Sequence, residues 1–153
     1  MMRSTIFKGV MLLFMLLALV ACSTPKSHGI SPVEPENGGE ADSLRPLLKW
    51  SKAEDHDGTY DLVIFERIKD DQFGEKERLV EVYFRKGLPG GDNPQHQVEI
   101  SLDPDHEFRW TVRPRKGQSI GEWAKMETHV FTGVSYHRRV RPFYFSTPEE
   151  KEE

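Results

Sequence analysis

The chain predicts an all-β fold, a sandwich of two antiparallel sheets. Three observations carry this. Between about residues 30 and 147 the apolar residues recur with period two rather than 3.6, the periodicity of a strand with one buried face. Turn-forming clusters separate these runs: Asp57-Gly58, Asp71-Gln-Phe-Gly74, Pro89-Gly-Gly-Asp-Asn-Pro94, Asp103-Pro104-Asp105 and Lys116-Gly117. No long amphipathic helical pattern appears between them. Short alternating strands with nothing helical to cover a lone sheet are best buried sheet against sheet.

The strands follow in chain order. Leu48 and Trp50 make a short strand just after Pro46. Tyr60, Leu62 and Ile64 alternate with Asp61, Val63 and Phe65, and Val80, Val82 and Phe84 alternate with Glu81, Tyr83 and Arg85. Val98, Ile100 and Leu102 alternate with Glu99 and Ser101, which predicts a strand over 98–102 with all three apolar side chains inward. Phe108, Trp110 and Val112 alternate with Arg109, Thr111 and Arg113, and Phe143 and Phe145 flank Tyr144. Met126 to Thr132 and Val134 to Val140 straddle Gly133 and read as an extra hairpin, because a structureless loop of that length is unusual in a compact domain.

The amino-terminal end has a different logic. Arg3 and Lys8 give a positive start, Val10 to Val20 is unbroken apolar sequence, and small residues follow. That is the layout of a secretory signal, and it falls short of the roughly 20 residues a spanning helix needs. Without residues 1–21 the remainder has the length of one domain. The whole chain carries 21 basic and 25 acidic residues, a net charge of −4, and losing Arg3 and Lys8 makes it more acidic. Such a balance argues against nucleic acid as a partner, since affinity there comes chiefly from neutralising phosphates. Cys22 is the one cysteine, so the folded part has no disulfide and depends on its core.

Leu19-Val20-Ala21-Cys22 resembles the lipobox of bacterial lipoproteins. The resemblance implies a diacylglyceryl group on the Cys22 sulfur, cleavage before it, and acylation of the new amino terminus (palmitate is the usual acyl type). Several acyl chains, at about 0.8 kcal/mol per buried methylene, make a stable membrane anchor. Ser23, where Asp would favour inner-membrane retention, implies the outer membrane, with the domain in the periplasm or at the cell surface.

The sandwich itself resembles a bacterial fibronectin type III-like domain. Leu48-Lys-Trp50 looks like the Leu-x-Trp of that family's second strand, whose tryptophan packs between the sheets. Tyr60-Asp-Leu-Val-Ile64 is similar to the third strand, and Leu102-Asp-Pro104 through Phe108-Arg-Trp110-Thr-Val112 to the run into the sixth. Gly121-Glu-Trp123 and Phe143-Tyr-Phe145-Ser-Thr147 look like its closing motifs. The resemblance implies a sandwich of fibronectin type III/immunoglobulin-like type over residues 30–147; by composition, 22–29 reads as a flexible tether and 148–153 as a disordered acidic tail. Two departures stand out: Phe108 replaces the family's corner tyrosine, and Trp123 and Phe143 lie far apart.

Motifs for catalysis are missing from the sequence: no Gly-x-Ser-x-Gly, no His-Glu-x-x-His, no phosphate-cradling glycine loop. The six histidines show no metal-ligand spacing. The sequence therefore predicts no catalytic residue, no metal and no cofactor beyond the covalent lipid on Cys22. Asp55-His56-Asp57-Gly58 has the start of a calcium loop but lacks the later bidentate Glu, and reads as a turn. The candidate binding residues are Arg113, Arg115 and Lys116 together with Tyr136, His137, Arg138, Arg139 and Arg141, a basic and aromatic concentration in an acidic chain. Solvated arginines paired with the abundant carboxylates are the competing reading. Trp123 reads as rim packing. The function expected is a non-enzymatic, membrane-anchored binding or assembly module of a bacterial envelope complex with a protein partner. The alternative is direct binding of anionic envelope glycan through the insertion at residues 126–141.

Overall fold

A computed structural model describes residues 24–69, 77–131 and 136–150. Ten strands occur among them and no helix: β1 (Pro32–Glu34), β2 (Leu47–Trp50), β3 (Thr59–Lys69), β4 (Glu77–Leu88), β5 (Gln95–Gln97), β6 (Glu107–Lys116), β7 (Ser119–Ile120), β8 (Met126–Phe131), β9 (Tyr136–Arg141) and β10 (Phe143–Ser146). One sheet has the order β1-β2-β5 and the other β10-β6-β3-β4, with β7 also on β6. All these pairings are antiparallel. The protein is thus the two-sheet antiparallel β-sandwich its periodicity predicts.

The alternation in sequence becomes the core. Tyr60, Leu62 and Ile64 of β3, Phe108, Trp110 and Val112 of β6, and Phe143 and Phe145 of β10 turn inward onto Leu48 and Trp50 of β2. Trp50 joins the sheets, with its ring edge-to-face at 5.5 Å from Tyr60 and 6.4 Å from Trp110. Trp110 meets Phe143 at 5.3 Å, and Phe108 stacks on Phe145 at 5.6 Å. Such pairs add about 0.5–1.5 kcal/mol each beyond simple burial. The Tyr60 hydroxyl is deep in this core and accepts the Ala53 N–H at 2.9 Å, so it is not left unsatisfied.

The predicted strand over 98–102 does not form. The pairing with β2 is made by β5, earlier in the chain, and Ile100 is 40% exposed. Val98 and Leu102 are buried nonetheless, because their N–H groups bond the carbonyls of Pro46 and Leu44 and so fix a loop against the first sheet. Two apolar residues four apart can both face inward from such a loop, where a strand would have needed Ile100 inside as well.

The expected extra hairpin is present: β8 pairs with β9 from Met126↔Arg141 to Phe131↔Tyr136. Its position explains the long gap before Phe143. Gly121 N–H bonds Pro114 O and Ala124 N–H bonds Val112 O, both at 2.8 Å, so the segment after β7 runs along the edge of β6. The same edge is resumed by β10, where Phe143 pairs with Trp110. The last strand of the sandwich is therefore interrupted between Ala124 and Phe143, and the hairpin leaves from that break.

The chain end closes the corner before β6. Thr147 Oγ1 donates to Asp103 O at 2.6 Å and accepts the His106 N–H at 3.1 Å, and Pro148 O accepts from Asp105. Residues 24–29 lie on the domain: His28 O accepts from Glu54, Ser51 Oγ donates to Gly29 O, and Pro25 O faces Gly121. A Cβ on Gly121 would come within 2.2 Å of that carbonyl, so glycine is required for the approach.

Candidate binding site at the hairpin root

The outer face of the four-stranded sheet, away from the core, is not an ordinary solvated face. Leu62-Val63-Ile64-Phe65 is apolar at every position, the pattern of a strand covered on both sides. Val63 is 3% exposed and Asp61 is fully buried, although both point away from the core. Register sets the order across this face: Asp61 lies opposite Arg113, Val63 opposite Thr111, and Phe65 opposite Arg109.

At one end the face is polar. Asp61 accepts from Arg113 Nε at 2.9 Å, from Arg115 Nε at 2.9 Å and Nη2 at 2.8 Å, and from the Gly87 N–H at 3.2 Å. Burial alone would push the Asp61 carboxyl up. The two guanidiniums and the Gly87 N–H outweigh it and hold the carboxyl below its ordinary value. Arg113 also lies over the Trp123 ring at 4.4 Å, so the indole covers the ion cluster.

Next to this cluster the face opens into an apolar cleft of about 620 Å³. Val63 and Phe65 of β3, Phe84 of β4, Trp123, Ala124 and Pro142 form its apolar walls, and Glu81, Thr111 and Lys125 supply the polar lining. Phe84 and Trp123 meet edge-to-face at 6.4 Å. Thr111 Oγ1 donates to Ala124 O at 2.6 Å, which fixes the wall carrying Trp123 onto β6. Lys125 and Pro142 are the residues where the chain leaves for the hairpin and returns from it, so the cleft is at the hairpin's root.

The structure brings two of the sequence-predicted binding residues together, Arg113 and Arg115, but around Asp61 rather than towards solvent. Lys116 is exposed at the end of β6. Tyr136, His137, Arg138, Arg139 and Arg141 lie on β9, whose backbone pairing is described while its side chains are outside the described residues. Cys22 is also outside them. Trp123, read as rim packing, lines the cleft. The rest of the cleft was not singled out by sequence reasoning, although the unbroken apolar run through Phe65 carried the signal.

Two other clusters are held by contacts among their own side chains. Lys52 Nζ is 3.1 Å from Asp57 and 3.5 Å from Asp92, placing an ammonium where the calcium-like turn would offer oxygens. Glu66 of β3 and Asp103 and His106 of the turn before β6 gather their donor atoms within 4.8 Å. There the His106 ring bonds Glu66 at the surface.

Compared with protein-family models, with curated proteins and with solved structures, the chain matches none of them.

Proposed function

We propose that the chain is an outer-membrane lipoprotein, held by lipid on Cys22, whose fibronectin type III-like sandwich is a non-enzymatic binding or assembly module of an envelope complex. The lipobox-like Leu19-Val20-Ala21-Cys22 supports the anchor. Trp50 on the second strand between the sheets, and Phe108 to Val112 on the sixth, support the family reading.

One observation carries the binding role: the β8–β9 hairpin leaves the interrupted last strand and, among the described residues, pairs with neither sheet of the sandwich. A sandwich needs no such hairpin to close its core, and a hairpin paired with neither sheet offers open edges to a partner strand. The glycan alternative draws less support, because Asp61 engages Arg113 and Arg115. That alternative then depends on Lys116 and the β9 run.

The test is a mild-detergent pull-down of the full chain from native envelopes, read by mass spectrometry, beside a Cys22→Ala control. A stoichiometric protein lost from the control is the expected result. Recovery of glycan alone, abolished by Arg138→Glu with Arg139→Glu, replaces the assembly role with direct envelope binding.

A further inference from the structure

The cleft has a neighbour that indicates what fills it. Residues Thr24 to Ile30 border a second groove whose other wall is Ile120 to Lys125, and Trp123 and Lys125 line both openings. The described chain thus begins in the groove that adjoins the apolar cleft. Cys22 lies two residues before Thr24, a reach of at most about 7 Å in a fully extended chain. Gly121 is what permits this course, since a side chain there would collide with Pro25 O and lift the segment off the domain.

We propose that the cleft takes one acyl chain of the lipid carried on this protein's own Cys22. The inference rests on the lipidation proposed above. The chemistry of the walls fits hydrocarbon: Val63, Phe65, Phe84, Trp123 and Pro142 offer aliphatic and aromatic surface. Of the polar lining, Thr111 is bonded to Ala124, which leaves the exposed Glu81 and Lys125 as the charged groups at the cleft. A free peptide carboxylate or sugar would find few unoccupied donors there, whereas an acyl chain needs none.

The experiment uses the full chain in living cells fed a palmitate analogue bearing a diazirine near its methyl end, which lipoprotein maturation would place on Cys22. After irradiation and digestion, peptide masses report three things separately. An acylated Cys22 peptide tests the anchor itself. A Cys22 peptide linked internally to the peptide holding Val63, Phe84 or Trp123 is the expected result, with loss of that link in Phe84→Asp and in Gly121→Val. Both variants are checked for a native near-ultraviolet spectrum. Acylated Cys22 without any internal link overturns the inference while the anchor stands, and a phospholipid adduct on those same cleft peptides assigns the cleft to membrane lipid instead. An unacylated Cys22 removes the anchor and the inference together.

Discussion

Changing Asp61 to Asn removes the negative charge that both Arg113 and Arg115 bond, while leaving size and shape almost unaltered. The carboxylate has no solvent exposure and the arginine side chains are 22% and 19% exposed, so water replaces little of what is lost. Two like charges then face each other across a neutral amide. Breaking a buried ion cluster by removing one partner costs about 3–5 kcal/mol, because the charges left behind are uncompensated. Against a total stability of about 5–15 kcal/mol that is a large fraction. For a domain of this length it corresponds to a fall in Tm of about 10–20 °C.

Urea unfolding at neutral pH, followed by tryptophan fluorescence, measures it directly. The pH dependence is a second signature. The folded carboxyl is held below the ordinary 3.8, so its stabilisation is fully present above that value. It fades as pH falls from 3.8 through the lower folded value, and the gap between wild type and Asn variant closes there. A loss under about 1 kcal/mol at neutral pH, or a gap that does not narrow in acid, means that Asp61 does not hold the two arginines as a buried ion cluster. Replacing Asp61, Arg113 and Arg115 together by Leu, Met and Met is expected to cost less than Asp61→Asn alone.

Trp110→Ala, in the centre of the aromatic core, is expected to cost about 3–5 kcal/mol by chemical denaturation, while Phe84→Ala in the cleft wall costs clearly less. Thr147→Val leaves the His106 N–H without its acceptor and is expected to lose about 1–3 kcal/mol in the same assay. Gly121→Ala pushes residues 24–29 off the domain, read as faster hydrogen exchange at the Glu54 amide that His28 O holds. His96 is kept below its ordinary 6.5 chiefly by burial, so its unfolded form takes the proton first. Stability therefore falls as pH drops below 6.5, and His96→Phe flattens that slope in a pH series of thermal melts.

Much of the core was legible because a strand with one buried face writes its geometry into every second residue. Tyr60, Leu62, Ile64, Phe108, Trp110 and Val112 all occupy the inner face that the alternation assigns. Val98 to Leu102 misled for the same reason: two buried residues four apart imitate a strand, and hydrogen bonds to Pro46 and Leu44 made a loop serve instead. The hairpin was legible as two segments straddling Gly133 in a gap too long for a structureless loop, but its departure from the middle of the last strand was not. That depends on which edge of β6 the flanking segments share, a relation between residues far apart in sequence.

The all-β class and the inward residues of β2, β3, β6 and β10 could be read from local periodicity alone. Strand pairing turns Arg113 and Arg115 onto Asp61, a residue about fifty positions earlier in the chain. Only the tertiary structure places Phe84, Val63 and Trp123 around one cleft, adjoining the groove where the described chain begins. Alternation tells which side of a sheet a residue occupies. What covers the outer side depends on strand pairing across long sequence separations, and a period-two pattern carries no record of that.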